Sequence, residues 1–494
     1  MKSTAHSIKL FNTASRSIEN FEAISSPSVR LYACGFTVYD YTHLGHLRKY
    51  SMDDVLVRTL RQFGYTVQHV QNVTDVGHLA SDADTGEDKL EKGARKYGES
   101  AWEVAKRFEA YFFRSMDLIG NARPDVSCRA TDHIESQIQM VRELEKRGHT
   151  YEIEGDGIYF DIATFPDYGK MARLQLDAQA AGERVSVEGK RHPQDFALWK
   201  FERPGENRAM VWSSPWSERG FPGWHIECSA MAIEYLGEQL DIHTGGIDHI
   251  PVHHINEIAQ AESATGKSPF VRYWVHHNFL RIEGEKMSKS LGNFYTIDDV
   301  LEKKYDPRAL RLLFMSAHYR SELNFTWKNL AGAQVAYDKL LTRVKSLQQK
   351  EWGGDLLETE LSQPALQLLD TFRECLSDDI NTPQAMAVLW ETTKSKLNPR
   401  EELFLLQKFE QFLALGLFSL KDSDQRKSEE LVVDMSTIPV EVQELLAARA
   451  AARAANNYPE ADKLRSEIET LGYTLKDTQT TQELLRVQPE KMPE

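Results

Sequence analysis

The chain has 494 residues, 41% hydrophobic and 27% charged, with a formal net charge of −15 at pH 7. At roughly 100–200 residues per domain, that length implies three or four domains rather than one core. No apolar run reaches the ~18–20 residues of a membrane span, and the acidic balance argues weakly against non-specific nucleic-acid binding without excluding a basic stripe on one face.

The N-terminus, Met1 to Ile8, lacks the apolar core of a signal peptide. Cys34, Cys128, Cys228 and Cys375 are too dispersed for a disulfide framework and fit a reducing cytosol. A cytoplasmic protein is expected.

Val29-Arg30-Leu31-Tyr32-Ala33 reads as a strand, His46 to Phe63 as a helix with Val55, Leu56, Thr59, Leu60 and Phe63 at helical spacing, and Thr66 to Val70 as a second strand. Strand, helix, strand is the unit of a parallel α/β sheet. Ser81 to Gly98 is charged and Gly-punctuated, the pattern of a surface insertion or loop. Short strands and turns from Asp156 to Trp216 suggest an inserted subdomain, after which the α/β pattern resumes from about His225 to Asn293. Asp306-Pro307 pairs a cap residue with a first-turn proline, and Tyr337, Leu340, Leu341, Val344 and Leu347 form the apolar stripe of a bundle helix. Lys421 to Glu430 has linker composition, and a last module spans Val440 to Leu485.

Two segments carry phosphate chemistry. In Cys34-Gly35-Phe36-Thr37-Val38-Tyr39-Asp40-Tyr41-Thr42-His43-Leu44-Gly45-His46 a strand passes through an HxGH turn into a helix. Free N–H groups at the helix start suit a triphosphate, Gly45 lets a nucleotide approach, and His43 and His46 can donate to phosphate oxygens. Alone, the tetrapeptide reads as an ordinary helix-entry turn. Lys286-Met287-Ser288-Lys289-Ser290, about 240 residues on, offers two ammonium groups on a loop that reads as a clamp for a leaving pyrophosphate. Either lysine alone reads as a solvated turn. Together, in this order and spacing, they resemble the two signatures of class I aminoacyl-tRNA synthetases.

A third constellation is distributed. Cys228 lies in Trp224-His225-Ile226-Glu227-Cys228, and His253 and Glu257 share a helical face 25 residues beyond it. With Cys34 they make a plausible zinc site, although any single cysteine here would more often be a small buried hydrophobe. His254 is read as structural.

Cys34-Gly35 with Thr37-Val38-Tyr39-Asp40, Pro222 to Met231, and His253-His254 with Asn256-Glu257 resemble cysteinyl-tRNA synthetases over nearly the whole chain. The resemblance implies one zinc ion on Cys34, Cys228, His253 and Glu257, to which the thiolate of L-cysteine adds. It implies that Thr74 and Trp224 shape the substrate pocket. ATP, with Mg2+, would lie on Gly45, Lys289 and the His243-Thr244-Gly245-Gly246-Ile247-Asp248 turn, His243, Gly245 and Gly246 seating adenosine and Asp248 accepting from the ribose. His43, His46, Lys286 and Lys289 would be catalytic. Arg453, Tyr458 and Asp462 match anticodon-reading positions for tRNA(Cys), with Tyr458 where Trp is common.

The expected architecture is therefore a Rossmann-like catalytic domain in two halves, residues 1–125 and 223–305, interrupted by a connective subdomain at 126–222. A tRNA-binding helical bundle over 306–425 and a small anticodon-binding module over 436–494 follow, in a monomer without membrane contact. Phe36 stands where the family has proline, Ile255 where an acidic residue is common, and Val76-Gly77-His78 replaces a short acidic run. Two other readings use the same residues: a cysteine ligase of the mycothiol pathway type, which needs no C-terminal module, and a catalytically silent RNA-binding paralogue.

Overall fold

The computed structural model describes residues 7–77, 88–174, 189–287, 292–350, 352, 356–418, 440–454, 457, 461, 463–465, 467–468, 473–477 and 482–486. The chain divides into two compact units, Met1–Leu417 and Phe418–Glu494.

The first unit opens with a hairpin of β1 (Lys9–Asn12) and β2 (Ser17–Asn20), followed by β3 (Ser28–Thr37), α1 (Leu44–Gln62) and β4 (Thr66–Thr74). β3 and β4 are almost continuously buried, as strands covered on both faces are. α1 is buried around most of its circumference, including Leu44, Leu47, Tyr50, Val55, Leu56 and Leu60. Next come α2 (Lys89–Tyr97), α3 (Ala101–Ile119), β5 (Val126–Arg129) and α4 (Ile134–Lys146).

Of the segment expected to be a loop from Ser81 to Gly98, residues 81–87 lie outside the described residues, and the remainder is mostly helix. Asp88 accepts from the N–H groups of Leu90 and Glu91, Leu90 turns inward, α2 packs on α3, and Gly98 closes it in the left-handed region at φ 67°. A short amphipathic face decided this against the charged composition.

β6 (Thr150–Ile153), β7 (Gly157–Phe160), β8 (Phe196–Phe201) and β9 (Gly220–Pro222) form a separate four-stranded antiparallel sheet. α5 (Trp224–Leu236), β10 (Leu240–Gly246), α6 (Ile255–Thr265) and β11 (Val271–His277) return the chain to the main sheet. That sheet has the order β11-β10-β3-β4-β5, and every neighbouring pair is parallel. Because β5 pairs with β4, the main sheet reaches past the boundary expected at 125. The separate sheet begins only at Thr150, where antiparallel partners become available. The strand order reverses between β3 and β10, and the carboxyl ends of strands at such a point are where open α/β sheets bind ligands.

β12 (Leu280–Ile282) and β13 (Glu285–Lys286) lead to α7 (Ile297–Glu302), α8 (Pro307–Phe314), β14 (Leu323–Phe325), α9 (Trp327–Gln348), α10 (Gln363–Ser377), α11 (Thr382–Lys394) and α12 (Pro399–Leu413). Asp306 caps α8 by accepting from Arg308 N–H at 2.8 Å. On α9, Tyr337, Leu340, Val344 and Leu347 are buried and Leu341 is half-buried. The bundle is fused to the catalytic fold through Arg311, whose fully buried guanidinium meets Asp54 Oδ2 at 2.5 Å, Leu413 O at 2.7 Å and the Asn121 side-chain carbonyl.

The second unit contains α13 (Val440–Ala454) and an antiparallel hairpin of β15 (Tyr473–Asp477) and β16 (Gln482–Arg486). The expected linker at 421–430 lies outside the described residues. Among the described residues, no helix is long and apolar enough to cross a membrane.

Candidate active site

A cavity of about 520 Å³ opens at the carboxyl ends of β3 and β10, and Cys34, Lys49, Thr74, Trp224 and Asp248 are on its wall. Its floor is set by a break in the β3–β4 ladder. The register shifts between Ala33 and Phe36, and the Gly35 N–H donates to the side-chain carbonyl of Asn72 at 2.7 Å. A Cβ on Gly35 would lie 1.5 Å from the Asn72 backbone oxygen, so only glycine follows Cys34 here.

The HxGH turn both starts α1 and lines the cavity. His43 Nδ1 accepts from the N–H groups of Gly45 at 3.1 Å and His46 at 3.3 Å, while His46 Nδ1 accepts from His43 N–H at 3.4 Å. Accepting at Nδ1 assigns the proton of each neutral ring to Nε2. Burial lowers His43 to about 4 and His46 well below its ordinary value, so both are neutral donors rather than cations. Phe36 packs edge-on against His46, with centroids 4.8 Å apart.

Cys34, Cys228, His253 and Glu257 are buried, and their ligating atoms all lie within 4.8 Å of one another. Cys34 follows the last regular pair of β3, Cys228 lies in α5, His253 is the penultimate residue of a π-helical turn over Ile250–His254, and Glu257 sits in the first turn of α6. Such π turns are frequent at functional sites. A tetrahedral zinc ion with bonds of about 2.0–2.3 Å separates its ligands by about 3.3–3.8 Å. Two sulfurs, one imidazole and one carboxylate, with ligating atoms no more than 4.8 Å apart, make a donor set that suits zinc.

The four groups shift one another's protonation. Burial opposes ionisation of Glu257, but His243 and His253 outweigh it and hold the carboxyl well below its usual range. Burial likewise opposes the charge on His253, and Glu257 and Cys228 raise it to about 10. Cys228 is pushed well above its usual value by its hydrogen bond with Cys34 and by burial.

His243 lies elsewhere than expected. Its side chain is fully buried, with Nε2 3.0 Å from Glu257 Oε2 and the ring stacked on Trp274 at 4.7 Å. It supports a proposed metal ligand instead of facing the cavity. Gly245 is likewise off the cavity wall, and a Cβ there would come 2.4 Å from His254 Cε1. Gly246 and Asp248 do line the cavity, as do Thr74 and Trp224, and Thr74 Oγ1 accepts from Asn72 Nδ2 at 3.0 Å.

His254, read as structural, has Nε2 3.3 Å from Cys34 Sγ, and its Nδ1 lies 2.7 Å from His276 Nε2. His276 Nδ1 meets Thr13 Oγ1 at 2.7 Å, and His225 Nδ1 lies 2.8 Å from His253 Nδ1. His254 also joins His243, Cys34 and Glu257 in a second buried group of potential metal ligands. The sequence reading missed Thr13, His276 and Lys49. Thr13 and His276 are far apart in the chain and follow no motif spacing, so only the fold joins them.

Lys286 is exposed on the cavity rim. Lys289 lies outside the described residues, as do Tyr458 and Asp462, and the side chain of Arg453 is also outside them.

Residues 20–335 match the family described as tRNA synthetases class I (C) catalytic domain. Residues 371–402 match the DALR domain, and 435–484 the cysteinyl-tRNA ligase anticodon binding domain. The chain is 43% identical to cysteine–tRNA ligase 1 of Burkholderia lata over 97% of its own length and 96% of the relative's. It is 40% identical to cysteine–tRNA ligase of Treponema denticola, over 95% of this chain and 98% of that one. Among solved structures, the fold is similar to a leucyl-tRNA synthetase of Agrobacterium radiobacter (TM-score 0.57, 12% identity, 80% of this chain and 85% of that one). It is also similar to Mycobacterium tuberculosis methionyl-tRNA synthetase (TM-score 0.53, 15% identity, 78% and 90%). With this coverage and identity, carried on a parallel α/β sheet, the chain belongs to the cysteinyl-tRNA synthetase family of class I aminoacyl-tRNA synthetases.

Proposed function

We propose that the chain activates L-cysteine with ATP at the cavity between β3 and β10, selects the substrate sulfur at Cys34, Cys228, His253 and Glu257, and transfers cysteine to tRNA(Cys). The chain is a ligase of the class I synthetase type. The observation that carries the reading is the meeting of two chemistries in one cavity. Cys34, Cys228 and His253 of the buried tetrad line one wall, with Glu257 behind them, and a helix start with two Nε2–H donors forms another.

A zinc ion held by the tetrad would supply a soft acceptor for a deprotonated sulfur, which the harder, less acidic hydroxyl of serine does not match. Trp224, 5.1 Å from His253 between ring centroids, and Thr74 then shape the amino-acid pocket. The carboxylate oxygen attacks the α-phosphorus of ATP, the bond to the bridging oxygen breaks, and pyrophosphate leaves. His43 and His46 donate to phosphate oxygens as charge shifts, and Lys286 with Lys289 stabilises the departing pyrophosphate. Gly45, Gly246 and Asp248 hold the nucleotide. A terminal ribose hydroxyl of tRNA then attacks the adenylate carbonyl and AMP departs.

The bundle and the C-terminal module, with Arg453, Tyr458 and Asp462, hold the tRNA, and the enzyme works as a cytoplasmic monomer. That module separates this reading from a ligase that joins cysteine to an amino sugar.

The test is amino-acid-dependent ATP–pyrophosphate exchange with cysteine, serine and methionine, before and after chelation. Exchange with cysteine alone, lost on chelation and restored by zinc, is the expected result. Exchange with another amino acid would overturn the specificity, and none at all would indicate the silent paralogue. Deleting residues 418–494 should leave exchange intact and reduce tRNA charging; equal loss of both would count against the tRNA role.

A further inference from the structure

Burying a lysine ammonium is costly unless it is paired. The side chain of Lys49, one turn beyond the HxGH turn on α1, is 12% exposed. Its Nζ lies 2.8 Å from Asp53 Oδ2 and donates to the backbone carbonyl of Cys34 at 2.9 Å. Asp53 is fixed in turn, because His277 Nε2 lies 2.8 Å from its other oxygen. An ammonium has three donors. One is donated to the Cys34 carbonyl and the charge is paired with Asp53, and Lys49 lines the cavity into which a remaining donor can reach.

The position of this charge is specific. A pair with Asp53 alone, four residues on, would form on any exposed helix. The bond to Cys34 holds the ammonium on the cavity wall beside a member of the tetrad, on the same helix as His46. His43 and His46 are neutral, and Lys286 lies on the exposed rim. Among the described residues of the cavity wall, Lys49 is therefore a buried cation outside the tetrad, within reach of a cysteine held there. Cysteine is short, so a sulfur held beside Cys34 keeps its carboxylate within a few ångströms.

We propose that Lys49 binds the carboxylate of the substrate cysteine and orients it for attack on the α-phosphate. This rests on the activation reading above and adds a specificity-determining contact to it. Lys49 takes the oxygen that does not attack, and the attacking oxygen forms the bond to phosphorus. The contact exists before and during the reaction, so it acts more on cysteine binding than on turnover.

The test compares wild type with Lys49→Met and Lys49→Arg, each first checked for a native circular-dichroism spectrum and melt. In exchange assays Lys49→Met should raise KM for cysteine about tenfold or more, the worth of a charged hydrogen bond, with a smaller change in kcat and in KM for ATP. Lys49→Arg should recover part of the loss. Inhibition by cysteamine, which has the thiol but no carboxylate, should be unchanged in Lys49→Met.

Parallel weakening of cysteine and cysteamine would make Lys49 a structural counter-ion and overturn the proposal. A rise confined to KM for ATP would overturn it in favour of the phosphates. If Lys49→Met fails to fold, cysteine is compared with its methyl ester on wild type, where equal binding overturns the proposal and about tenfold weaker binding of the ester supports it. Failure of wild type to exchange with cysteine would instead overturn the functional reading.

Discussion

His43 caps the helix that carries His46: its Nδ1 accepts the His46 N–H at 3.3 Å, and the two rings stack with centroids 3.5 Å apart. One imidazole thus holds α1 in place and turns its Nε2–H toward the cavity, and two substitutions separate these roles. His43→Asn keeps a capping oxygen, so it should melt close to wild type while activating cysteine about a hundredfold more slowly. His43→Ala should lose that activity and also about 1 kcal/mol of stability. Equal stability loss in both variants would refute the division.

Metal content tests the tetrad. Cys228→Ser and Glu257→Gln should each reduce bound zinc, measured by elemental analysis, below one per chain. Cys128→Ala should retain zinc, because Cys128 is buried 3.8 Å from the carbonyl of Gln71 and outside the tetrad. Full zinc content and normal exchange in Cys228→Ser would refute the ligand assignment.

Asp54 and Arg311 join the helical bundle to the catalytic sheet. Removing one member of a buried pair costs about 3–5 kcal/mol when the other charge is stranded. Asp54→Ala strands Arg311, whose other partners among the described residues are neutral oxygens of Asn121 and Leu413. Arg311→Met leaves Asp54 with Arg58 at 2.8 Å and the Ala122 N–H at 3.1 Å. Urea unfolding should therefore find Asp54→Ala the more destabilised of the two, and the reverse order would contradict this account.

Acid should weaken the fold through a buried histidine. Burial pushes His69 down to about 4, against 6.5 when exposed. Between those values the unfolded chain binds a proton that the folded chain refuses, so stability falls as pH falls through this window. The loss from His69 alone reaches about 2 kcal/mol by pH 5. His69→Gln should lose correspondingly less stability than wild type between pH 7 and pH 5 in urea melts. An unchanged pH slope would mean that His69 titrates normally.

Much was legible in the sequence because the signals are local. Alternation of apolar runs and helical stripes gave the parallel sheet and the bundle, and the HxGH turn gave a helix start. Residues four apart put His253 and Glu257 on one face. The sequence by itself determined the family, through motifs whose order and spacing survive without coordinates. It also marked Cys34, Cys228, His253 and Glu257 as one group, although only by resemblance.

Tertiary structure decided what lies behind those residues. His243 reads as a nucleotide contact in a Gly-rich turn, yet strand pleating turns its ring into the core against Glu257. Lys49 carries no motif in the sequence, and a ladder break at Gly35 gives it the Cys34 carbonyl as a partner. The Thr13–His276–His254–Cys34 chain unites four strands and turns that share no spacing. Sequence periodicity reports which face of an element is apolar, whereas a buried polar group must find partners wherever the fold brings them, and those partners are set by three-dimensional packing alone.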